Sequence, residues 1–188
     1  MVKLHRKGQE IMEMPASVTK GHWVTRYARG ITVLGVLMIL GGAARWGAVI
    51  HQLFDHRIVD ATFWMIFWFN SFDSAKWCVI GFLTMALSQL LVYVMGSGSK
   101  PGWILRKANG GLFIAASLSI GTAAVHFVSL HMSMSHNVSY FAGDWLVAMA
   151  TNGAAPLLSG LSEALLYVTL GFTLRRVLPV IEESKGVV

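Results

Sequence analysis

Polar and apolar residues along this chain segregate into long blocks instead of short amphipathic repeats. Four blocks stay largely apolar for about twenty residues each, at about 30–51, 74–95, 110–132 and 155–174. A helix of that length rises about 30 Å, the thickness of a bilayer's hydrocarbon core, and a helix satisfies its own backbone hydrogen bonds there. The pattern predicts an all-α polytopic membrane protein, a four-transmembrane-helix bundle built as a single membrane domain over residues 1–188. No internal repeat, low-complexity tract or long Pro/Gly linker divides it.

Two further apolar stretches are too short to cross, IVDATFWMIFWFN (58–70) and YFAGDWLVAMATN (140–152). Their aromatic content predicts short interfacial helices on the outer side of the bundle. Orientation follows from lysine and arginine in the flanks. The leader 1–29 carries Lys3, Arg6, Lys7, Lys20, Arg26 and Arg29, the connection 100–107 carries Lys100, Arg106 and Lys107, and the tail 175–188 carries Arg175, Arg176 and Lys185. The other side has only Arg57 and Lys76, so both termini are expected to be cytoplasmic. The first apolar block runs into Arg45-Trp46 with no small-residue processing site, so the leader is expected to be retained. With no eukaryotic targeting feature, the expected location is a bacterial inner membrane.

Composition narrows the function classes. The chain is 55% hydrophobic and 13% charged, whereas a soluble domain carries about a quarter charged residues. The formal net charge of +6 comes from basic residues that flank apolar blocks, which argues for topology and against nucleic acid. A single cysteine, Cys78, excludes an internal disulfide, a Cys-rich zinc site and an iron–sulfur cluster. Dinucleotide, Walker, zinc-peptidase and serine-hydrolase motifs are absent. With so little extramembrane chain, the leading expectation is an accessory or structural subunit of a larger membrane complex, without catalytic activity of its own. Its partners would be the lipid bilayer and other membrane subunits or a second copy.

Ionisable residues at membrane depth are costly and mark partners or cavities. Arg45, His126 and Glu163 fall at similar depths in one leaflet, which predicts a buried polar cluster, either a structural ion pair or a binding or proton-handling site. Ser119, Thr122, His126, Ser129 and Ser133 recur at spacings of three and four, so they share a helix face expected to look into the bundle. Small residues crowd the first span (Gly35, Gly41, Gly42, Ala43, Ala44, Gly47) and the third (Gly111, Ala115, Ala116, Gly121, Ala123, Ala124), permitting close helix approach. Gln89, beside Ser88, reads as an interhelical hydrogen-bond former.

Histidine placement opens two cofactor readings. His51, His126 and His131 are candidate cofactor-binding residues, and a pair such as His51 with His131 would clasp a b-type haem between two helices. A redox subunit meeting haem or quinone is therefore the alternative function. The segment HFVSLHM (126–132) resembles the His-rich spans of membrane cytochrome b subunits of formate dehydrogenases and hydrogenases, and His22-Trp23 resembles the His-Trp pair near theirs. The resemblance covers a small part of the chain, and the second span lacks the histidine those families usually supply there. The second cofactor reading is copper. HMSMSH places His131, Met132, Met134 and His136 together, and thioether plus imidazole suits Cu(I), which would make this a copper-handling membrane protein.

Overall fold

The computed structural model describes residues 16–55, 61–95, 101–135, 147 and 149–186. They form four long helices: α1 (Ala16–Asp55), α2 (Ala61–Met95), α3 (Trp103–Ser135) and α4 (Ala154–Gly186). A turn of π-helix, Met149–Gly153, leads directly into α4. Each long helix contains a stretch apolar enough to cross a membrane, and no strand occurs among the described residues. The protein is thus an all-helical transmembrane bundle.

The helices exceed the apolar blocks that predicted them. Residues 61–70, expected as a separate interfacial segment, are the opening turns of α2. No glycine or proline interrupts the chain between Ile58 and Ile80, so nothing stops the helix where the hydropathy changes. Likewise α1 begins inside the basic leader, and α4 continues through Pro179 into the charged tail. The other expected interfacial segment, 140–152, falls mostly outside the described residues, and its last residues belong to the π-helical turn.

Packing follows chain order, with α1 on α2, α2 on α3 and α3 on α4. Small residues set the first contact. A Cβ on Gly35 would meet the Gly81 carbonyl oxygen at 2.7 Å, and one on Gly81 would meet the Gly35 carbonyl at 2.6 Å. One heptad along, a Cβ on Gly42 would meet the Ser74 carbonyl at 2.8 Å. One heptad the other way, Ser88 Oγ donates to the Ala28 carbonyl at 2.7 Å and shares a hydrogen bond with the Thr32 hydroxyl at 2.8 Å. Steps of seven on both helices, running in opposite directions, describe an antiparallel seam with a left-handed supercoil. Dispersion between closely approaching backbones stabilises this seam, because lipid competes for every ordinary apolar contact.

Side-chain hydrogen bonds fasten the second contact. Gln89 Oε1 accepts the Leu105 backbone N–H at 3.2 Å, so α2 caps one of the four unpaired donors at the start of α3. Gln89→Leu is expected to cost about 1 kcal/mol, and amide exchange should quicken at the first turn of α3 while mid-helix amides keep their protection. At the third contact, a Cβ on Gly160 would reach the Ser119 carbonyl at 3.0 Å and the Ala123 side chain closer still. Held from both sides, α3 is the most enclosed helix, with 33% of its apolar window buried against 11% for α4.

Candidate functional site

Arg45–Asp73 and Lys76–Glu163 are ion pairs within the membrane-spanning helices. Arg45 on α1 pairs with Asp73 on α2, Nη1 to Oδ2 at 2.7 Å. Lys76 on α2 pairs with Glu163 on α4, and the same carboxylate oxygen, Oε2, accepts a hydrogen bond from Ser119 Oγ at 3.0 Å. The expected trio is therefore divided. Arg45 and Glu163 belong to different pairs, each with a partner on α2 that the hydropathy pattern had placed at a span's mouth. Once residues 61–73 extend the helix, Asp73 and Lys76 become mid-helix charges, and α2 is where opposite charges are found for both neighbours. The uninterrupted run from Ile58 to Ile80 was the signal that could have revealed them.

Depth along the helices is set by the tryptophans. On α1, Trp23 and Trp46 are exposed and 23 residues apart, about 34 Å of helix, which matches a hydrocarbon core between two aromatic belts. Exposed Trp103 shares the end where the described chain begins and finishes, and exposed Trp64 and Trp68 share the other end. In the α1–α2 register Lys76 is level with residue 40 of α1, about 9 Å below Trp46. At that depth an unpaired charge costs several kcal/mol, so pairing keeps both ions in place.

The Lys76–Glu163 pair closes one side of a polar crevice of about 260 Å³ between α2, α3 and α4. Ser119, Thr122 and His126 line it from α3, and Ser159 from α4. Of the hydroxyl and imidazole face read from the third span, Ser119, Thr122 and His126 thus look into the bundle, and the Ser133 side chain lies outside the described residues. Of the expected cluster, His126 and Glu163 share this crevice while Arg45 is elsewhere. The crevice is incompletely covered by the chain, since the Glu163 side chain is 43% exposed and that of Lys76 17%.

Its polar groups are only partly satisfied among the described residues. Lys76 and Ser119 both bond to Oε2 of Glu163, which leaves Oε1 without a hydrogen bond there. The His126 ring touches Phe69, centroids 6.0 Å apart, and makes no hydrogen bond to a described residue. Ser159 makes none either, whereas Thr122 donates to the Leu118 carbonyl at 2.8 Å. The crevice therefore offers donors and acceptors together.

A second cavity, about 320 Å³, follows in the same groove between α2 and α4. It starts at Ile80 and Tyr167, one turn beyond Lys76 and Glu163, and reaches Leu90, Leu105 and Leu174. Its lining is apolar apart from Thr84 and Tyr167, and the Thr84 hydroxyl is bonded to the Ile80 carbonyl of its own helix.

The remaining candidates lie apart. His51 is exposed near the end of α1 and His131 exposed near the end of α3, on helices that are not principal packing partners. The copper candidates His131, Met132 and Met134 occupy the last turns of α3, and His136 lies outside the described residues. Among the described residues, no three His, Cys, Asp or Glu side chains group as a metal-ligand set. Compared with known proteins, the chain matches no family model, no curated protein and no solved structure.

Proposed function

We propose that this protein is a subunit of a larger membrane complex, docking through the outer face of α1 and carrying no reaction of its own. The observation that carries this reading is Arg45, whose side chain remains 51% exposed although it is paired with Asp73 within a membrane-spanning helix. Beside it run Gly41, Ala44 and Ala48, all exposed, and a Cβ on Gly41 would meet nothing within 4 Å. Small residues facing lipid gain little, whereas against another helix they permit close approach, with the guanidinium N–H groups not used by Asp73 able to bond across the contact. The α1 face that meets α2 (Ala28, Gly35, Gly42) is already used, so this is a second, separate face. The basic leader and tail support a cytoplasmic placement of both termini, in a bacterial inner membrane.

The test is photo-crosslinking in native membranes with p-benzoylphenylalanine in place of Ala44. A discrete protein adduct is expected, whose mass distinguishes a different subunit from a second copy. The same probe at Leu165, exposed on α4, provides the lipid-facing comparison. Equal yields of lipid adducts alone at both positions would refute docking through α1.

A further inference from the structure

The polar crevice and the apolar cavity beside it make one head-and-tail site. Both are framed by α2 and α4 over a floor of α3, and they meet at the Lys76–Glu163 pair. The polar end is near the aromatic belt, since His126 packs on Phe69, the neighbour of Trp68. The apolar end reaches Leu105, two residues from Trp103 at the opposite belt. From Phe69 to Leu90 the groove runs 21 residues of α2, about 32 Å.

Those two ends specify the occupant. The head must be neutral, because Lys76 is already neutralised by Glu163 and an added phosphate would face that carboxylate. It must accept hydrogen bonds from Lys76 and Ser159, and in a reduced, hydroxylated form it also donates to Oε1 of Glu163, with His126 able to serve either way. It must also be flat enough to lie beside the Phe69 and His126 rings. The tail must be apolar and lie along the cavity from Ile80 to Leu90, ten residues of α2 or about 15 Å. An oxygenated ring on an isoprenoid tail, whose first units fill the cavity, meets each requirement.

We propose that the groove between α2 and α4 binds an isoprenoid quinone or quinol, with its ring between His126, Ser159 and the Lys76–Glu163 pair and its tail along Tyr167, Leu170 and Leu174. The proposal concerns binding alone and is independent of docking through α1, which uses another face. Unsatisfied polar groups in hydrocarbon cost several kcal/mol each, and a ring that pairs with them converts that cost into affinity.

The experiment uses the full chain, extracted gently for quinone analysis and then reconstituted in nanodiscs for titration with decylubiquinone and decylubiquinol. Near-stoichiometric co-purifying quinone and saturable binding above empty-nanodisc partitioning are expected. Ser159→Ala and His126→Phe should each weaken binding tenfold or more, and Leu170→Trp should do so by filling the tail track. Leu34→Trp, on an exposed face of α1, should leave binding unchanged. Ser159 is exposed, so its truncation leaves the fold intact and keeps the test decisive if His126→Phe fails to fold. Partition-like uptake by the unaltered protein, binding unchanged in Ser159→Ala and Leu170→Trp, or phospholipid as the sole co-purifying molecule would each overturn the proposal. The Ala44 crosslink reads the other face, so the two readings fail separately.

Discussion

Replacing Gly81 with leucine is expected to separate α1 from α2, at a cost of about 3 kcal/mol, the upper end of the range for overpacking. The obstacle is backbone: a Cβ there would stand 2.6 Å from the Gly35 carbonyl oxygen and 3.0 Å from the Ile39 nitrogen. Side chains yield by changing rotamer, but these atoms can move only if the helices part. Parting would break the Ser88 hydrogen bonds to Ala28 and Thr32 in the same seam and pull Arg45 from Asp73. The check is unfolding of the detergent-solubilised protein, followed by helical circular dichroism and protease resistance of α1. Gly41→Leu is the comparison, because a Cβ on Gly41 meets nothing within 4 Å. It should leave the isolated chain as stable as before and, if α1 docks as proposed, abolish the Ala44 adduct. Two glycine substitutions in the same bundle would then differ by about 3 kcal/mol for a geometric reason alone.

Lys76→Met carries the second large effect. It strands the Glu163 carboxylate at membrane depth with Ser119 as its one remaining hydrogen-bond donor among the described residues. Removing one member of a buried pair costs about 3–5 kcal/mol. Lys76→Met/Glu163→Met should recover most of that loss, since a methionine pair packs in the same space without ions to desolvate. A double-mutant cycle on unfolding measures the coupling directly. A double variant as unstable as Lys76→Met would show that the side chains matter for shape and not for charge. The same cycle applied to Arg45 and Asp73 should show weaker coupling, because Arg45 adjoins Trp46 at the aromatic belt, where water and salt screen the pair.

These expectations also mark how far the chain could be read. The membrane class and four helices follow from block lengths of about twenty apolar residues, since a bilayer sets a length that the chain must meet locally. Ser88 and Gln89 read as interhelical hydrogen-bond formers because a polar side chain in hydrocarbon must find a partner, and both do. The face formed by Ser119, Thr122 and His126 was legible from spacing alone, since it depends on helical geometry within one segment. The pairing of charges was not. Matching Arg45, His126 and Glu163 by depth treats depth as proximity, but a charge at a given level can turn toward either neighbour. Hydropathy leaves Asp73 and Lys76 in the outer flank because a sharp fall in hydropathy reads as a helix end, whereas helix ends are made by Gly, Pro and caps.

What the sequence by itself determined, then, is whatever the bilayer imposes on a local stretch of chain: helix as the backbone solution, four crossings and an inward polar face on α3. Tertiary structure alone decided which small residues are contacts and which are open. Gly35 and Gly41 are indistinguishable by composition, yet one meets the Gly81 backbone and the other meets nothing. It also decided that α2 supplies the counter-ion to both α1 and α4, and that a polar crevice and an apolar cavity lie end to end between α2 and α4. The physical reason is common to these cases. In lipid, helix association is driven by close packing and hydrogen bonds that are specific to rotation and register, and neither angle nor register is encoded by the hydropathy that places a helix in the membrane.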